Sequence, residues 1–175
     1  MGTNISATAM TCQDIDNSEN FTNYGVRSTQ KIGNFSLGSE AGIFSSTKVD
    51  ENTNEIRTNY GVYTDIRGSI PYGETCLSGG FRIRTKEGNS QFRLQPTTIS
   101  FKVGDNTNIY ATPYGVSNLD YATGTFSDPK IGFFAGVNCK LHFGPSIFCE
   151  YQAYDISKIN PSNSSINIGV SIPLK

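Results

Sequence analysis

A chain of 175 residues carrying 14 basic and 15 acidic side chains, with a formal net charge of -1 and a pI near 5.8, has no basic face with which to seek nucleic acid. It is rich in Gly (18), Phe (11) and Tyr (9), lacks Trp, and is long enough for one domain with a core of its own. No apolar run approaches the roughly 18 residues that a membrane-spanning helix requires, which excludes a helical membrane protein.

The opening "MGTNISATAM" has neither a basic n-region nor a long apolar h-region, so no secretory signal is read there. A cytoplasmic chain and one whose signal has been removed both stay open. Residues 1–20 hold a weak strand, Ile5 to Thr11, or a flexible segment; the whole of 1–175 reads as a single domain. Helical periodicity is almost absent from there onward. Short alternating runs bounded by Gly, Asn, Asp and Pro recur instead, which is the pattern of an all-β chain.

A second weak strand runs from Asn23 to Ile32, followed by Phe35 to Ser46. "EIRTNYGVYTDIRG" then puts Ile56, Tyr60, Val62 and Ile66 on one face, and Arg57, Asn59, Gly61, Tyr63, Asp65 and Arg67 on the other. Thr75 to Lys86 follows; its "LSGGFRI" reads as a bend or close-packing site. In "QFRLQPTTISFKV" the apolar phase moves from Phe92 and Leu94 to Ile99, Phe101 and Val103, which predicts a bulge near Pro96. Asn108 to Ser117, Lys130 to Phe143 and Ser146 to Asp155 come next. The clearest run closes the chain: "INIGVSIPLK" alternates Ile166, Ile168, Val170, Ile172 and Leu174 against Asn167, Gly169, Ser171 and Lys175.

These eight to ten strands are joined by "DENTN", "KEGN", "GDNTN" and "FGPS", which leave no room for crossover helices. An antiparallel up-and-down meander follows, and closing it into a β-barrel removes its edges. In "VNCKLHFGPSIFCEYQ" a turn centred on Gly144 keeps apolar opposite apolar and sets Leu141 against Ile147 and Cys139 against Cys149. Alternation therefore favours a loop with an odd number of residues. Cys139 and Cys149 become candidates for a cross-strand disulfide. Free thiols packing as small hydrophobes are the favoured alternative.

Two barrels share this alternation. A soluble one turns its polar face to water; a membrane one turns its apolar face to lipid and lines its lumen with polar groups. Glu40, Arg57, Asp65, Arg67, Arg82, Arg84, Lys140 and Glu150 mix signs over several strands and form a candidate interior charge network, since an unpaired interior charge would cost several kcal/mol. On a soluble barrel the same residues are a solvated face. Tight connections (Ile32 to Asn34, Phe143 to Ser146) alternate with longer polar ones (Thr47 to Asn54, Asn118 to Pro129, Ile156 to Ser164), an asymmetry found in outer-membrane barrels.

"KIGFFAGVNCKLHFGPSIFCEYQAYD", a polar loop and "INIGVSIPLK" together resemble the closing strands of small Gram-negative outer-membrane β-barrel proteins of the OmpA/OmpX type. The last strand is similar to the barrel-assembly pattern in its Asn167, Gly169, Ile172 and Leu174. The group usually ends on an aromatic residue and rarely carries four cysteines, whereas this chain ends on Lys175 and has Cys12, Cys76, Cys139 and Cys149. The resemblance implies an outer-membrane location, a bilayer or detergent as partner, contacts with other surface proteins, and a structural or surface-interaction role.

No motif for chemistry emerges. His142 stands beside a turn without a nearby carboxylate in sequence, the cysteines form no C-x-x-C pair, and no phosphate loop or nucleophile elbow is present. No enzymatic activity, metal or cofactor is expected. A barrel of eight to ten strands is also mostly filled by side chains, which disfavours efficient porin function. A soluble barrel or sandwich that binds a small ligand, or serves as an assembly component such as a virion protein, is the alternative.

One phrase is left over: "TNYGV" occurs at Thr22 and Thr58, and "TPYGV" at Thr112. The intervals from Tyr24 to Tyr60 and from Tyr60 to Tyr114 stand as two to three, which suits a strand plus its connection as the repeating unit. Tyr24, Tyr60 and Tyr114 are thus candidate interfacial aromatics, with Gly25, Gly61 and Gly115 on the other face leaving room for bulky neighbours.

Overall fold

A computed structural model describes residues 3–14, 19–49, 53, 55–158 and 163–174. Its strands are β1 (Thr3–Asp14), β2 (Glu19–Ile32), β3 (Phe35–Val49), β4 (Ile56–Tyr72), β5 (Thr75–Lys86), β6 (Asn89–Lys102), β7 (Thr107–Asp120), the two-residue β8 (Thr125–Phe126), β9 (Lys130–Lys140), β10 (Ser146–Ala153) and β11 (Ser164–Leu174). Each long strand pairs antiparallel with the next, β9 follows β7 in the ring, and β11 returns to pair with β1. The result is a closed barrel of ten long strands with β8 as a short flap on β7. The weak first strand is thus a full member: Thr3–Asp14 holds the seam.

The ring is staggered. From Thr8 the ladder crosses to Gly25, Gly42, Tyr63, Arg84, Gln91 and Asn118, so a path that starts in the middle of β1 arrives near the far end of β7. Such a shift on going round is what tilts strands against a barrel axis. Both ends of the described chain, Thr3 and Leu174, lie at one rim together with the β2–β3, β4–β5, β6–β7 and β9–β10 turns. The opposite rim carries the longer connections, including those after β3, β7 and β10.

The bulge expected near Pro96 is there. Between Leu94 and Ile99, β6 spends one residue more than β7, and opposite Ser78 and Gly80 it does the same against β5. Gly79 packs at this point, where a Cβ would stand 2.9 Å from the Pro96 carbonyl oxygen. The β9–β10 hairpin keeps the odd loop but not the expected pairing. Strand β9 stops at Lys140, Leu141 to Pro145 form the turn, and the register sets Cys139 opposite Ile147 and Cys149 opposite Val137. Alternation fixes only the parity of a register, and a shift by two residues preserves it. All four cysteines are free thiols, so the Cys139–Cys149 disulfide is not formed.

The radial order of the fold is inverted. Among the described residues the buried set contains thirteen polar or charged side chains and six apolar ones, while thirty-two large apolar side chains are exposed. In β4, Tyr60, Val62 and Ile66 face outward, and Tyr63 and Asp65 are buried in the lumen, as the alternation of the sequence requires. Most exposed aromatics lie toward the two rims, Tyr24 and Tyr60 toward the long connections, with Tyr121 and Phe126 at the mouth of the lumen, and Phe35, Tyr72, Phe101 and Phe143 toward the turns, while Phe81 is mid-strand in β5. Aliphatic side chains such as Ile43, Val62, Ile66, Leu94 and Ile168 fill the band between them.

Inside, large rings lie over glycines of the neighbouring strand. A Cβ on Gly132 would stand 2.5 Å from the Tyr114 ring and from the Ala153 carbonyl oxygen; one on Gly136 would meet Tyr110, one on Gly61 would meet Phe44, and one on Gly169 would meet Phe148. Gly25 and Gly61 therefore do make room, Gly25 for the Tyr63 hydroxyl. Gly115 faces outward with nothing within 4 Å of its position. This generates a paired expectation. Gly132→Ala should lower unfolding stability by about 1–3 kcal/mol through overpacking, while Gly115→Ala stays within about 0.5 kcal/mol, as measured by urea unfolding of the detergent-folded protein.

Candidate functional site

Strands β2 to β6 bring five charged side chains into one continuous rung of the lumen wall. Arg27 lies opposite Glu40, Glu40 opposite Asp65, Asp65 opposite Arg82, and Arg82 opposite Arg93. Each occupies an inward position because its neighbours in sequence (Val26, Ala41, Ile66, Phe81, Leu94) carry the apolar phase. The two carboxylates are adjacent but well satisfied. Glu40 accepts from Arg27 Nε at 2.8 Å, Tyr63 Oη at 2.7 Å and Thr8 Oγ1 at 2.8 Å. Asp65 accepts from Arg67 Nε at 2.7 Å and Nη2 at 3.1 Å, and from Arg82 Nε at 2.7 Å. Multiple charge-assisted donors are what make buried carboxylates tolerable.

The opposite wall carries a neutral-donor network. Glu150 accepts from Asn167 Nδ2 at 2.7 Å and from Tyr110 Oη at 3.1 Å. Tyr114 donates to the Ala153 carbonyl at 3.0 Å and accepts from Gln152 Nε2 at 2.8 Å. Arg93 joins the walls, its guanidinium carbon 4.5 Å from the centre of the Tyr114 ring. Arg84 sits over Phe21 and Phe44 at 5.9 and 5.7 Å.

Of the eight residues expected to form the interior network, Glu40, Asp65, Arg67 and Arg82 cluster, Arg84 lines the same lumen one inward position away, and Glu150 faces them from β10. Arg57 and Lys140 do not take part. Arg57 is at the rim with its side chain 68% exposed, 3.7 Å from Glu55, and Lys140 is exposed at the end of β9. Both have the inward parity, but the rims lie outside the closed section of the lumen. Arg27 and Arg93 belong to the network and were not singled out from the sequence. Their signal was available: each stands between apolar neighbours that fix its face, Val26 for Arg27 and Phe92 with Leu94 for Arg93.

Tyr24 and Tyr60 point outward, 56% and 75% exposed, but Tyr114 is 1% exposed and points into the lumen. It is not an interfacial aromatic. The odd positions of β7 face outward with Ile109, Ala111 and Pro113, and Gly132 and Gly136 on β9 leave space inside for Tyr114 and Tyr110. His142 lies exposed in the β9–β10 turn, outside the lumen.

The lumen is not completely filled. A cavity of about 1290 Å³ opens among Thr123, Thr125 and Ser127 at the rim with the long connections, and a second of about 170 Å³ lies beyond Arg27, Glu40 and Arg67, which line both. That cluster separates the smaller cavity from the larger, which itself continues along the lumen to Cys76, Ser100, Asn108 and Asn138 near the turn rim.

No family model and no curated protein matches the chain. Among solved structures it is similar to a loop-deletion form of OmpT, an outer membrane protein of Vibrio cholerae, at 14% identity and a TM-score of 0.47, over 89% of this chain and 54% of that one. It is also similar to the beta domain of the Bordetella autotransporter BrkA, at 10% identity and a TM-score of 0.47 over 98% of both chains, and to a Rhodopseudomonas blastica porin triple mutant, at 6% identity and a TM-score of 0.30 over 99% of both. The chain spans about half the length of the Vibrio protein.

Network membership has a measurable consequence. Asp65→Ala strips the shared partner from Arg67 and Arg82 and should cost about 3–5 kcal/mol, whereas Arg57→Ala at the exposed rim should stay within about 0.5 kcal/mol. Urea-unfolding midpoints of the two variants, folded in the same detergent, provide the comparison.

Proposed function

We propose that the chain is a small outer-membrane β-barrel protein that spans the bilayer with its strands, serves a structural or surface-interaction role, and is neither an enzyme nor an efficient porin. The observation that carries this reading is the radial inversion: a largely aliphatic band facing outward, with aromatics toward both rims, around a lumen lined by charge. In water such a surface would be an aggregation liability far larger than the apolar patches that soluble monomers expose. Against lipid it is the favourable arrangement, and the closed ladder leaves no strand edge unpaired in hydrocarbon. Nine of the ten long strands have 11 residues or more, which meets the roughly 9–11 that a tilted spanning strand needs.

The rings packed into the lumen, Phe44, Tyr63, Tyr114 and Phe134, support the non-porin part of the reading, since they narrow the path along it. The longer connections gather at one rim and offer the surface through which other surface proteins would be met. The turns and both described ends gather at the other.

A gel comparison tests the membrane reading. The detergent-folded protein should migrate differently before and after boiling, and Ile43→Arg, which sets a charge in the middle of the outward band at a cost of about 2–4 kcal/mol, should reduce the folded fraction. A monomer that stays soluble without detergent and shows no heat-dependent shift would sink the proposal. In reconstituted vesicles, sugar-driven swelling should be no faster than in protein-free vesicles; rapid swelling removes the non-porin part alone.

A further inference from the structure

Pairing inside the lumen is uneven. Arg27 is matched by Glu40, and Arg67 and Arg82 share Asp65. Arg84 and Arg93 form no ion pair with a carboxylate among the described residues. The buried or half-buried carboxylates that share the cavity from the facing strands are already engaged, Glu150 by Tyr110 and Asn167 and Asp14 by Tyr154. Arg93 is only 7% exposed, and Arg84 has the like-charged Arg82 and Arg93 as neighbours. Rings, not anions, are what these two guanidiniums touch: Phe21 and Phe44 for Arg84, and Tyr114 for Arg93.

The orphaned polar atoms of this wall share one character. On β5 and β6 the buried side-chain atoms without a hydrogen-bond partner are Arg84 Nε, Arg93 Nε and Gln95 Nε2, all of them N–H donors. All three residues line the larger cavity, which has room for a small solute and opens at the rim with the long connections. Buried donors that lack acceptors, next to cations that lack counterions, are costly unless an acceptor with negative charge reaches them. Guanidinium forks match the geometry of a tetrahedral oxyanion better than that of a spherical halide. Lys86 extends the cationic row of β5 from Arg82 and Arg84 to the mouth of the cavity and gives an anion a graded approach.

We propose that Arg84, Arg93 and Gln95 form an oxyanion-binding site in the lumen wall, selective for a phosphate group on a small solute that enters from the rim with the long connections. The site depends on the closed lumen and not on what surrounds the barrel, so it stands or falls separately from the membrane reading.

The test is a titration of the folded full chain in detergent with inorganic phosphate, with ionic strength held constant by sodium chloride, read by the thermal unfolding midpoint and by phosphate 31P line broadening. A saturable rise of the midpoint with phosphate and none with the chloride control is expected. Arg93→Lys keeps the charge but loses the fork and should weaken binding roughly tenfold or more, the factor that corresponds to one lost charge-assisted contact. Arg84→Gln with Arg93→Gln should abolish saturation. Gln95→Leu, which leaves both charges in place, keeps the test open if the double variant fails to fold, and should weaken binding measurably. Equal responses to phosphate and chloride, or an undiminished response in Arg93→Lys and Gln95→Leu, would overturn the proposal.

Discussion

Ten rungs join β1 to β11, from Ile5 opposite Leu174 to Asp14 opposite Ser165, and the rest of the molecule depends on that seam. With it, every long strand has two neighbours, no backbone edge is left to template another chain, and each side chain is committed either to the lumen or to the outside. Open the seam and the distinction between inside and outside disappears. The charged rung of β2 to β6 would then meet bulk water, where its pairs are worth little. The outward band would be one face of a loose sheet.

Closure also sets the terms on which the interior can be polar. The lumen is narrow enough that glycines must give way to rings: Gly132 and Gly136 accommodate Tyr114 and Tyr110, and Gly25 and Gly42 accommodate Tyr63. These rings in turn carry hydroxyls to the charges. Tyr63 donates to Glu40 and Tyr110 to Glu150, so packing and charge satisfaction are one arrangement. A side chain on Gly25, Gly42 or Gly136 would push away a ring and, with it, a donor that a lumen carboxylate uses, and one on Gly132 would push Tyr114 from the Ala153 carbonyl. The "YGV" phrase earns its repetition in this way in its first two copies, where Gly25 and Gly61 are the small residues and Tyr63 and Phe44 the large ones.

What could be read from the sequence divides along the same physical line. Alternation reports which residues share a face whenever one face is clearly apolar, and β4 and β11 were legible for that reason, down to Asp65 and Arg67 in the lumen and Ile168 outside. The bulge at Pro96 was legible because it shifts that phase within one strand. In β7 neither face is clearly apolar: Tyr110, Thr112 and Tyr114 stand against Ile109, Ala111 and Pro113. There the choice falls to the glycines of β9, a tertiary matter that the strand's own sequence does not contain. Register is hidden for a related reason. The β9–β10 hairpin keeps its faces when shifted by two residues, so the parity of its loop was readable and the partner of Cys139 was not. Arg57 and Lys140 show the remaining limit, because parity gives direction but not depth, and a rim position of inward parity meets solvent.

The charge network was legible as a set of signs and not as a set of partners. The sequence places both signs on the inward face, which suggests neutralisation; the registers show where neutralisation stops. Along the rung from Arg27 to Arg93 the order is one cation, two anions and two cations, so the anions lie toward β3 and β4 and the surplus accumulates on β5 and β6. A scaffold selected only to hold its strands together would be better served by an apolar or fully paired interior, since ion pairs in low dielectric seldom repay their desolvation. The paired half of the lumen behaves as such a scaffold, with Asp65 and Glu40 tying β2 to β5 together beside the smaller cavity. The unpaired half faces the larger cavity and keeps its donors free. The same rung therefore serves two ends, tying strands together on one side and leaving a cationic wall on the other, and the boundary between the two runs between Arg82 and its neighbours Arg84 and Arg93.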